Sequence, residues 1–302
     1  MGRFRSPKSQ ARHAVRQELA IGKPRHGKKT NDSKIHSLGT ARTYIESLSC
    51  LSKYILDNRL DPLGKGLASL TMKLAIQYLE YRSEFVGQKT LDKDRQAIQS
   101  ILGQKIEVIK SEHEQILKSR SYTQEQILLI VESQTSKHSL STLICRDAGL
   151  RAVELHTIAP IYILKPSSHR LWTDDRFLGR RDVSLFTVIG KGGLAREVAL
   201  SSELAERLET LRLAEPRIVT DRDIYYTKYY DVGGGHQWSN SFTKASKRAL
   251  GWTCGGHGIR HTYAQSRMIE LQTLGINFED SMGIVAQEMG HFRKDITGMY
   301  LR

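Results

Sequence analysis

The sequence predicts a mainly α-helical protein with a small antiparallel β-sheet, an α+β fold in two domains. Its length of 302 residues is typical of two domains. Apolar residues recur at helical spacing over most of the chain, as at Leu48, Leu51 and Ile55. Two short runs, residues 186–189 and 197–200, have strand character, and a glycine-rich turn joins them. Helices therefore supply most of the predicted fold, and the strands supply a hairpin.

The chain is strongly basic and has few cysteines. Its 46 Lys and Arg residues outnumber its 32 Asp and Glu residues, which gives a net charge of +14. This balance predicts a polyanionic partner, of which nucleic acid is the commonest. Three scattered cysteines, Cys50, Cys145 and Cys254, favour a reducing cytoplasm over a disulfide framework. We find no secretory leader and no apolar stretch of membrane-spanning length.

Residues 1–36 are predicted to be a flexible basic arm. Ten cationic residues oppose only Glu18 and Asp32, so the net charge of this segment is +8. The segment has few apolar residues to bury, and we expect it to become ordered only on DNA. A solvated tail without a partner is the alternative. The candidate DNA-binding residues in this segment are Arg3, Arg5, Lys8, Arg12, Arg16, Lys28 and Lys29.

Residues 37–117 are predicted to form a helical domain of four or five short helices. Two apolar stripes at helical spacing begin it. Thr90 is predicted to cap a third helix, with Asp92 and Asp94 in its first turn, where the helix dipole favours acids. We expect residues 106–117 to extend that helix.

Residues 122–302, after a short linker, form the other predicted domain. A capping box at Thr123 begins its first helix. Gly149 is predicted to end the next helix, and Arg151 to begin another. Lys191 lies in the glycine-rich turn between the two strands, at the tip of the hairpin. A later helix is predicted to carry three further candidate DNA-binding residues on its exposed side: Lys244, Lys247 and Arg248.

Histidines, one arginine and one tyrosine cluster near the end of the chain. His257 and Arg260 are three residues apart, so they share a face if a helix begins here. His291 follows a glycine that is predicted to end a helix. Tyr300 lies nine residues beyond His291, in the last turn of a predicted short final helix.

These residue types suit chemistry at a phosphodiester. Arginine binds phosphate oxygens through a planar fork, histidine moves protons near neutral pH, and tyrosine can act as a covalent nucleophile. Arg151 is the candidate for a second arginine, and Lys191 for an acid that protonates the leaving group.

Each of these residues also has a plainer interpretation. Arg151 alone fits a surface ion pair, Lys191 a solvated turn, and Tyr300 a packing aromatic. The histidines alone fit core positions or zinc ligands, although no cysteine pair has ligand spacing and the HExxH glutamate is missing. His261 fits a supporting role as well as direct contact, and His236 fits a loop.

Taken together, the residues resemble the tyrosine recombinases of the phage-integrase family. The matching pieces stand in family order over about 150 residues: Gly149-Leu150-Arg151 with Glu154-Leu155, Gly190-Lys191-Gly192, His257 with Arg260 and His261, Gly290-His291, and Tyr300. Each piece is common by chance, and their order and spacing carry the resemblance.

The resemblance implies a two-domain clamp around double-stranded DNA, with residues 37–117 as the core-binding domain. It implies that Tyr300 attacks the phosphodiester and forms a 3′-phosphotyrosyl bond. Arg151 and Arg260 would hold the phosphate, and Lys191 would protonate the departing 5′-oxygen. His257 would assist proton transfer and His291 would bind the phosphate. Neither metal nor other cofactor is implied.

The resemblance further implies a homotetramer on two DNA sites, and it allows an accessory DNA-bending factor. We expect a nucleoid-associated protein that recombines the DNA of a mobile element. Three features differ from the family pattern. Residues 164–181 look like an insertion, and Met289 stands where the family usually has leucine. The sequence also ends at Arg302, where many members continue with a helix that docks into a neighbour. We therefore expect protomers to communicate by another surface.

Three other functions fit parts of the pattern. A DNA-binding regulator on the same scaffold would lack part of the catalytic set. A strand-relaxing topoisomerase or a hairpin-resolving enzyme would use the same chemistry without exchange between two sites. A metal-dependent nuclease built on the histidines would be sensitive to EDTA.

Overall fold

The computed structural model describes residues 6–21, 34–61, 64–114 and 118–302, with Lys191 described by its backbone only. The chain divides into two compact units, Met1–Ile116 and Leu117–Arg302. Helices dominate both units and the strands are antiparallel, so the predicted fold class is confirmed. Within the described residues, no helix is both long and apolar enough to cross a membrane.

The first unit is helical and begins within the predicted arm. Its helices are α1 (Pro7–Gln17), α2 (Leu38–Asp57), α3 (Met72–Ser83) and α4 (Gln88–Leu102). Helix α1 begins at Ser6, whose side chain accepts from the N–H of Ser9, and it buries Ala11 and Val15 against the core. The prediction of a flexible arm is therefore wrong for this stretch, because two small apolar residues four apart suffice to pack one helix face.

Helix α4 differs from its prediction at both ends. Its N-cap is Gly87, not Thr90, and its first turn holds no acid. Asp94 is buried and pairs with Arg82 of α3 at 3.2 Å. The helix ends at Gly103, which has a φ of 70°. Residues 106–114 are not helical, so the predicted extension is wrong where the structure describes it.

The second unit begins with two helices and a three-stranded sheet. These are α5 (Gln124–Glu132), α6 (Ser136–Ala148), β1 (Ala159–Pro160), β2 (Val183–Ile189) and β3 (Ala195–Ser201). The predicted capping box at Thr123 is present. The strand order is β1-β2-β3, all antiparallel, and Ile189 lies opposite Ala195 beside the glycine-rich turn. The predicted hairpin is thus confirmed.

The rest of the second unit contains one hairpin that the sequence analysis missed. The elements are α7 (Ser202–Glu209), β4 (Arg212–Asp221), β5 (Ile224–Tyr230), α8 (Gly235–Leu250), α9 (Gly258–Thr273), α10 (Phe278–Glu288) and α11 (Lys294–Gly298). Strands β4 and β5 pair antiparallel around Arg222 and Asp223, both at positive φ. The β-branched and aromatic residues on either side of this turn are the signal that could have predicted it.

Candidate active site

Four separate segments of the second unit bring together five of the six predicted catalytic residues, all except Lys191. Gly149 ends α6 with a φ of 60°, and Arg151 follows in a turn rather than at the start of a helix. Arg260 lies in the first turn of α9, which begins after His257. Gly290, with a φ of 76°, redirects the chain after α10 and presents His291. Their convergence follows from the packing of α9 against α6 and α10.

The buried carboxylate of Glu154 organises the two arginines. It accepts from the Arg151 backbone N–H at 2.8 Å and from the Arg151 Nη1 at 2.6 Å. Arg260 Nη1 lies 3.8 Å from the second oxygen. Burial alone would raise the pKa of Glu154, but the surrounding arginines outweigh it and lower the pKa to about 2. The carboxylate is therefore ionised at neutral pH and fixes the guanidinium groups.

A third arginine, Arg196 on β3, completes this cluster, and the sequence analysis did not predict it. Arg196 has no exposed surface. It donates to Glu154 at 2.8 Å and to the backbone carbonyl of Glu288. Three cations thus surround one carboxylate, and the excess positive charge favours binding of an anion.

Groups in the protein interior hold the guanidinium group of Arg260 in place. It is fully buried and donates to the carbonyls of Gly149 and, at 3.1 Å, Met289. Burial and then the charge of Arg151 lower the pKa of Arg260 to about 10, which still leaves it charged at neutral pH. Its Nε–H is buried and has no hydrogen-bond partner among the described residues.

His291 joins the two arginines. Its Nε2 lies 3.1 Å from Arg151 Nη2 and 3.5 Å from Arg260 Nη2. Burial, followed by the charges of Arg260 and Arg151, lowers the pKa of His291 to about 4. The ring is therefore neutral at pH 7. One of its nitrogens can accept a proton, and the N–H of the other can donate a hydrogen bond to an anion.

Tyr300 lies among these side chains, although not within a helix as predicted. Helix α11 ends at Gly298, and Tyr300 follows in a turn, with its N–H donating to Thr297 at 2.8 Å. Tyr300 is 7% exposed and packs with residues of α9 and α10. The Arg260 Cζ lies 5.5 Å from the centre of the ring, a cation–π contact.

Three histidine rings surround Tyr300. Their centroids lie 5.6 Å (His257), 4.9 Å (His261) and 6.0 Å (His291) from the tyrosine ring. Desolvation and then the charge of Arg260 lower the pKa of His257 to about 4, so this ring is neutral at pH 7. His261 is buried and its Nδ1 lies 3.2 Å from the Tyr300 carbonyl, which favours the supporting role.

The remaining predicted residues lie elsewhere or are only partly described. Lys191 belongs to the turn between β2 and β3. His236 lies in the first turn of α8 rather than in a loop, with Asn240 3.0 Å away. Six predicted DNA-binding residues are exposed on helices, Lys8, Arg12 and Arg16 on α1 and Lys244, Lys247 and Arg248 on α8. The other four, Arg3, Arg5, Lys28 and Lys29, lie outside the described residues.

This arrangement is suited to binding and attacking a phosphate ester. Two fixed guanidinium groups and a neutral histidine can donate to non-bridging oxygens, and a phenol lies within the same cluster. In the part of the chain that the structure describes, no three His, Cys, Asp or Glu residues form a group that could hold a metal ion.

No protein-family model matches this chain, and no curated protein sequence matches it. Solved structures, however, resemble it over most of its length. The XerH site-specific recombinase bound to difH substrate before cleavage is 13% identical, with a TM-score of 0.56 over 100% of this chain and 94% of that one. The Tn1549 transposon integrase in complex with transposon right end DNA is 16% identical, with a TM-score of 0.50 over 99% and 95% of the two chains.

A third similar structure is a lambda integrase tetramer bound to a Holliday junction. It is 13% identical, with a TM-score of 0.51, and the match covers 87% of this chain and 72% of that one. At these identities the likeness establishes the fold. The predicted resemblance is therefore confirmed at the level of the fold.

Proposed function

We propose that this chain, whose fold is that of the tyrosine recombinases, breaks and rejoins DNA through a covalent bond to Tyr300. One observation carries the proposal. The Tyr300 ring lies beside Arg260, and Arg260 and Arg151 share the buried carboxylate of Glu154 and the ring of His291. A packing aromatic would need no arginine pair, whereas a nucleophile that attacks phosphate does.

The first chemical step is a transesterification. The Tyr300 oxygen attacks phosphorus, the bond to the 5′-oxygen breaks, and a 3′-phosphotyrosyl bond forms. The phenol has an ordinary pKa of about 10, so its proton must be removed as the bond forms. His257, neutral at pH 7, accepts that proton. Lys191 supplies a proton to the departing 5′-oxygen.

Electrostatic stabilisation supplies much of the catalysis. Negative charge grows on the non-bridging oxygens as phosphorus is attacked, and a preorganised donor at such a position is worth ~3–4 kcal/mol. Arg151, Arg260 and His291 fill that role. The phosphotyrosyl bond conserves the energy of the phosphodiester, so a free 5′-hydroxyl can reverse the step without a nucleotide cofactor.

The biological reaction is recombination between two DNA sites, those of a mobile element. The DNA-bound structures of similar fold support double-stranded DNA as the substrate, and the lambda integrase tetramer supports assembly of four copies. In this proposal residues 37–117 and 122–302 each contact the duplex. The exposed cations of α1 and α8 bind its phosphates. An accessory DNA-bending factor and association with the nucleoid complete the proposal.

A nicked suicide substrate tests the proposal. A short strand released after cleavage cannot religate, so the covalent protein–DNA adduct accumulates. The wild-type chain should form the adduct in EDTA, and Tyr300→Phe should bind DNA but form none. Adduct formation by the Phe variant would overturn the assignment of the nucleophile. Absence of any adduct from the wild type would favour the DNA-binding regulator.

Substrates with paired sites separate the related enzymes. A recombinase should exchange strands between two duplexes that carry its site. A strand-relaxing enzyme should instead relax supercoiled DNA at single sites, and a hairpin-resolving enzyme should close the ends of one duplex. Loss of cleavage in EDTA would favour the metal-dependent nuclease.

A further inference from the structure

Residues 164–181, the segment predicted to be an insertion, are tied to the strand that follows Lys191. The backbone N–H of Ser167 donates to the Ala195 carbonyl at 2.9 Å. The Ala195 N–H donates back to the Ser167 Oγ at 3.0 Å. Ala195 is the first residue of β3, so the chain is held where the turn ends.

These two bonds use the open edge of the sheet. Ala195 lies opposite Ile189 of β2, but its N–H and carbonyl point to Ser167, away from β2. Ser167 therefore occupies the place of a fourth strand at this one position. Trp172 in turn fixes Ser167, because its indole N–H donates to the Ser167 carbonyl at 3.0 Å.

The turn that carries Lys191 has little support of its own. Gly192 and Gly193 both have positive φ, 80° and 81°, and a side chain at either position would meet no atom within 4 Å. Two backbone bonds close the turn, from the Gly190 N–H to the Leu194 carbonyl at 2.7 Å and from the Gly193 N–H to the Gly190 carbonyl at 3.2 Å. The position of the turn thus depends on how firmly Ile189 and Ala195 are held at its base.

The far end of the segment is anchored near His291. The Phe177 N–H donates to Glu288 at 2.8 Å, and the Thr173 N–H donates to Gln287 at 2.9 Å. The Trp172 ring lies 5.0 Å from that of Phe292, the residue after His291. The segment therefore connects the base of the lysine turn to the end of α10.

We infer that residues 164–181 position the Lys191 turn against the phosphate-binding side chains, with Ser167 and Trp172 as the positioning residues. The inference rests on the proposed function, in which Lys191 protonates the 5′-oxygen. Without Ser167 Oγ, the base of the turn loses one of its two hydrogen bonds to Ser167, and without the indole N–H, Ser167 itself is held less firmly. Because a displacement of about 1 Å at a reacting group can cost ~100-fold in rate, even a small movement would be measurable.

The test compares two suicide substrates that differ in one atom. Ordinary DNA needs a proton on its 5′-leaving oxygen, whereas a 5′-bridging sulfur leaves without one. The variant Ser167→Ala/Trp172→Phe should lose cleavage of ordinary DNA by about tenfold or more. It should cleave the sulfur substrate at the wild-type rate. Lys191→Ala, measured beside it, should show the same rescue. If the double variant does not fold, Trp172→Phe alone removes only the indole donor.

Leu171→Ala is the matched control. Leu171 lies in the same segment and is 92% exposed. Its replacement should change neither rate, and a loss would show that the segment acts through its exposed surface. An equal loss on both substrates, or no loss on either, in the double variant would overturn the inference. None of these results changes the adduct that the wild type forms through Tyr300. Failure of this inference can therefore be told apart from failure of the proposed function, in which that adduct would be missing.

Discussion

Arg260 lies fully buried, with backbone carbonyls and a carboxylate around its guanidinium group, whereas Tyr300 lies two residues beyond a helix of five residues. Lys191, like Tyr300, lies on a short segment. It belongs to a turn with two glycines at which a Cβ would meet no atom within 4 Å. The arginine side of the candidate site is thus built into the interior of the second unit. The proposed nucleophile and the proposed acid lie on short segments at its edge.

This difference separates two requirements of the proposed chemistry. Donors that stabilise developing charge work best when they are fixed before the substrate binds. Groups that exchange protons or form a bond must follow a phosphorus centre whose geometry changes during the reaction. Damage to the arginine side should therefore affect both folding and catalysis, and damage to the tyrosine and lysine segments should affect catalysis more than folding.

Replacement of Glu154 by Gln should give the largest effect on stability. It removes the one negative charge among three arginines and leaves buried cations without compensation, which costs about 3–5 kcal/mol. We expect a lower urea midpoint together with loss of cleavage. Glu203→Gln, at a side chain that is 82% exposed, is the matched control and should leave both unchanged.

The pH dependence of this effect has a defined sign. The pKa of Glu154 falls from 4.5 to about 2 on folding, so the ion pairs contribute fully above pH 4.5 and are lost as pH falls towards 2. The difference in unfolding free energy between wild type and Glu154→Gln should therefore shrink over that range. A difference that stays constant would contradict the account of Glu154.

Two glycine replacements compare the two sides directly. An alanine Cβ at Gly290 would lie 2.7 Å from Arg196 Cδ, and the φ there is 76°. An alanine at Gly192 has a similar φ of 80° but meets no atom within 4 Å. Both changes should cost roughly 1–2 kcal/mol for the left-handed backbone, and only Gly290→Ala should add a packing cost. Equal losses in urea unfolding would show that the two sides are equally constrained.

The two histidines His257 and His291 should have a smaller effect, which would be seen in the pH dependence of the cleavage rate. His257 and His291 each have a pKa lowered to about 4, so both are neutral in the free protein from pH 8 down to about pH 5. At limiting DNA, where the rate reports the free protein, cleavage should show no titration near pH 6.5. A midpoint near 6.5 that disappears in His257→Gln would contradict the neutral state of this ring.

The sequence predicted the residues of the site better than the way they are held. Arg151, His257, Arg260, His291 and Tyr300, which were predicted from their order and spacing, do lie close together. Arg196 was missed because alternation along a strand places a charged residue outwards, whereas both faces of β3 are largely covered. Only the tertiary packing shows that its guanidinium reaches Glu154 and the end of α10.

The first unit shows the same limit in another form. Net charge predicted an unfolded arm, but the Ser6-Pro7 start and the pair Ala11 and Val15 were the local signals that mattered. The prediction that Thr90 caps α4 was also wrong, because the helix begins earlier and Gly87 is its N-cap. The net charge is an average over the whole segment, whereas the formation of a short helix depends on the residues at a few positions.

Replacement of the exposed cations of α1 should have the smallest effect on the cleavage step itself. Each phosphate contact contributes about 0.9 to the slope of log K against log salt, so Lys8→Gln/Arg12→Gln/Arg16→Gln should flatten the slope by up to about 2.7. Arg151→Gln should change the slope by no more than about 0.9 but should cripple cleavage. An unchanged slope in the α1 variant would show that these residues do not contact DNA.

Identification of the residue that carries the DNA tests the central claim most directly. The adduct from the suicide substrate is digested with trypsin, and the peptide that remains attached to DNA is identified by mass spectrometry. Cleavage after Lys294 yields residues 295–302, in which Tyr300 is the one tyrosine. The account predicts that the DNA lies on this peptide. DNA attached to any other peptide, such as the one that contains Tyr225, would contradict it.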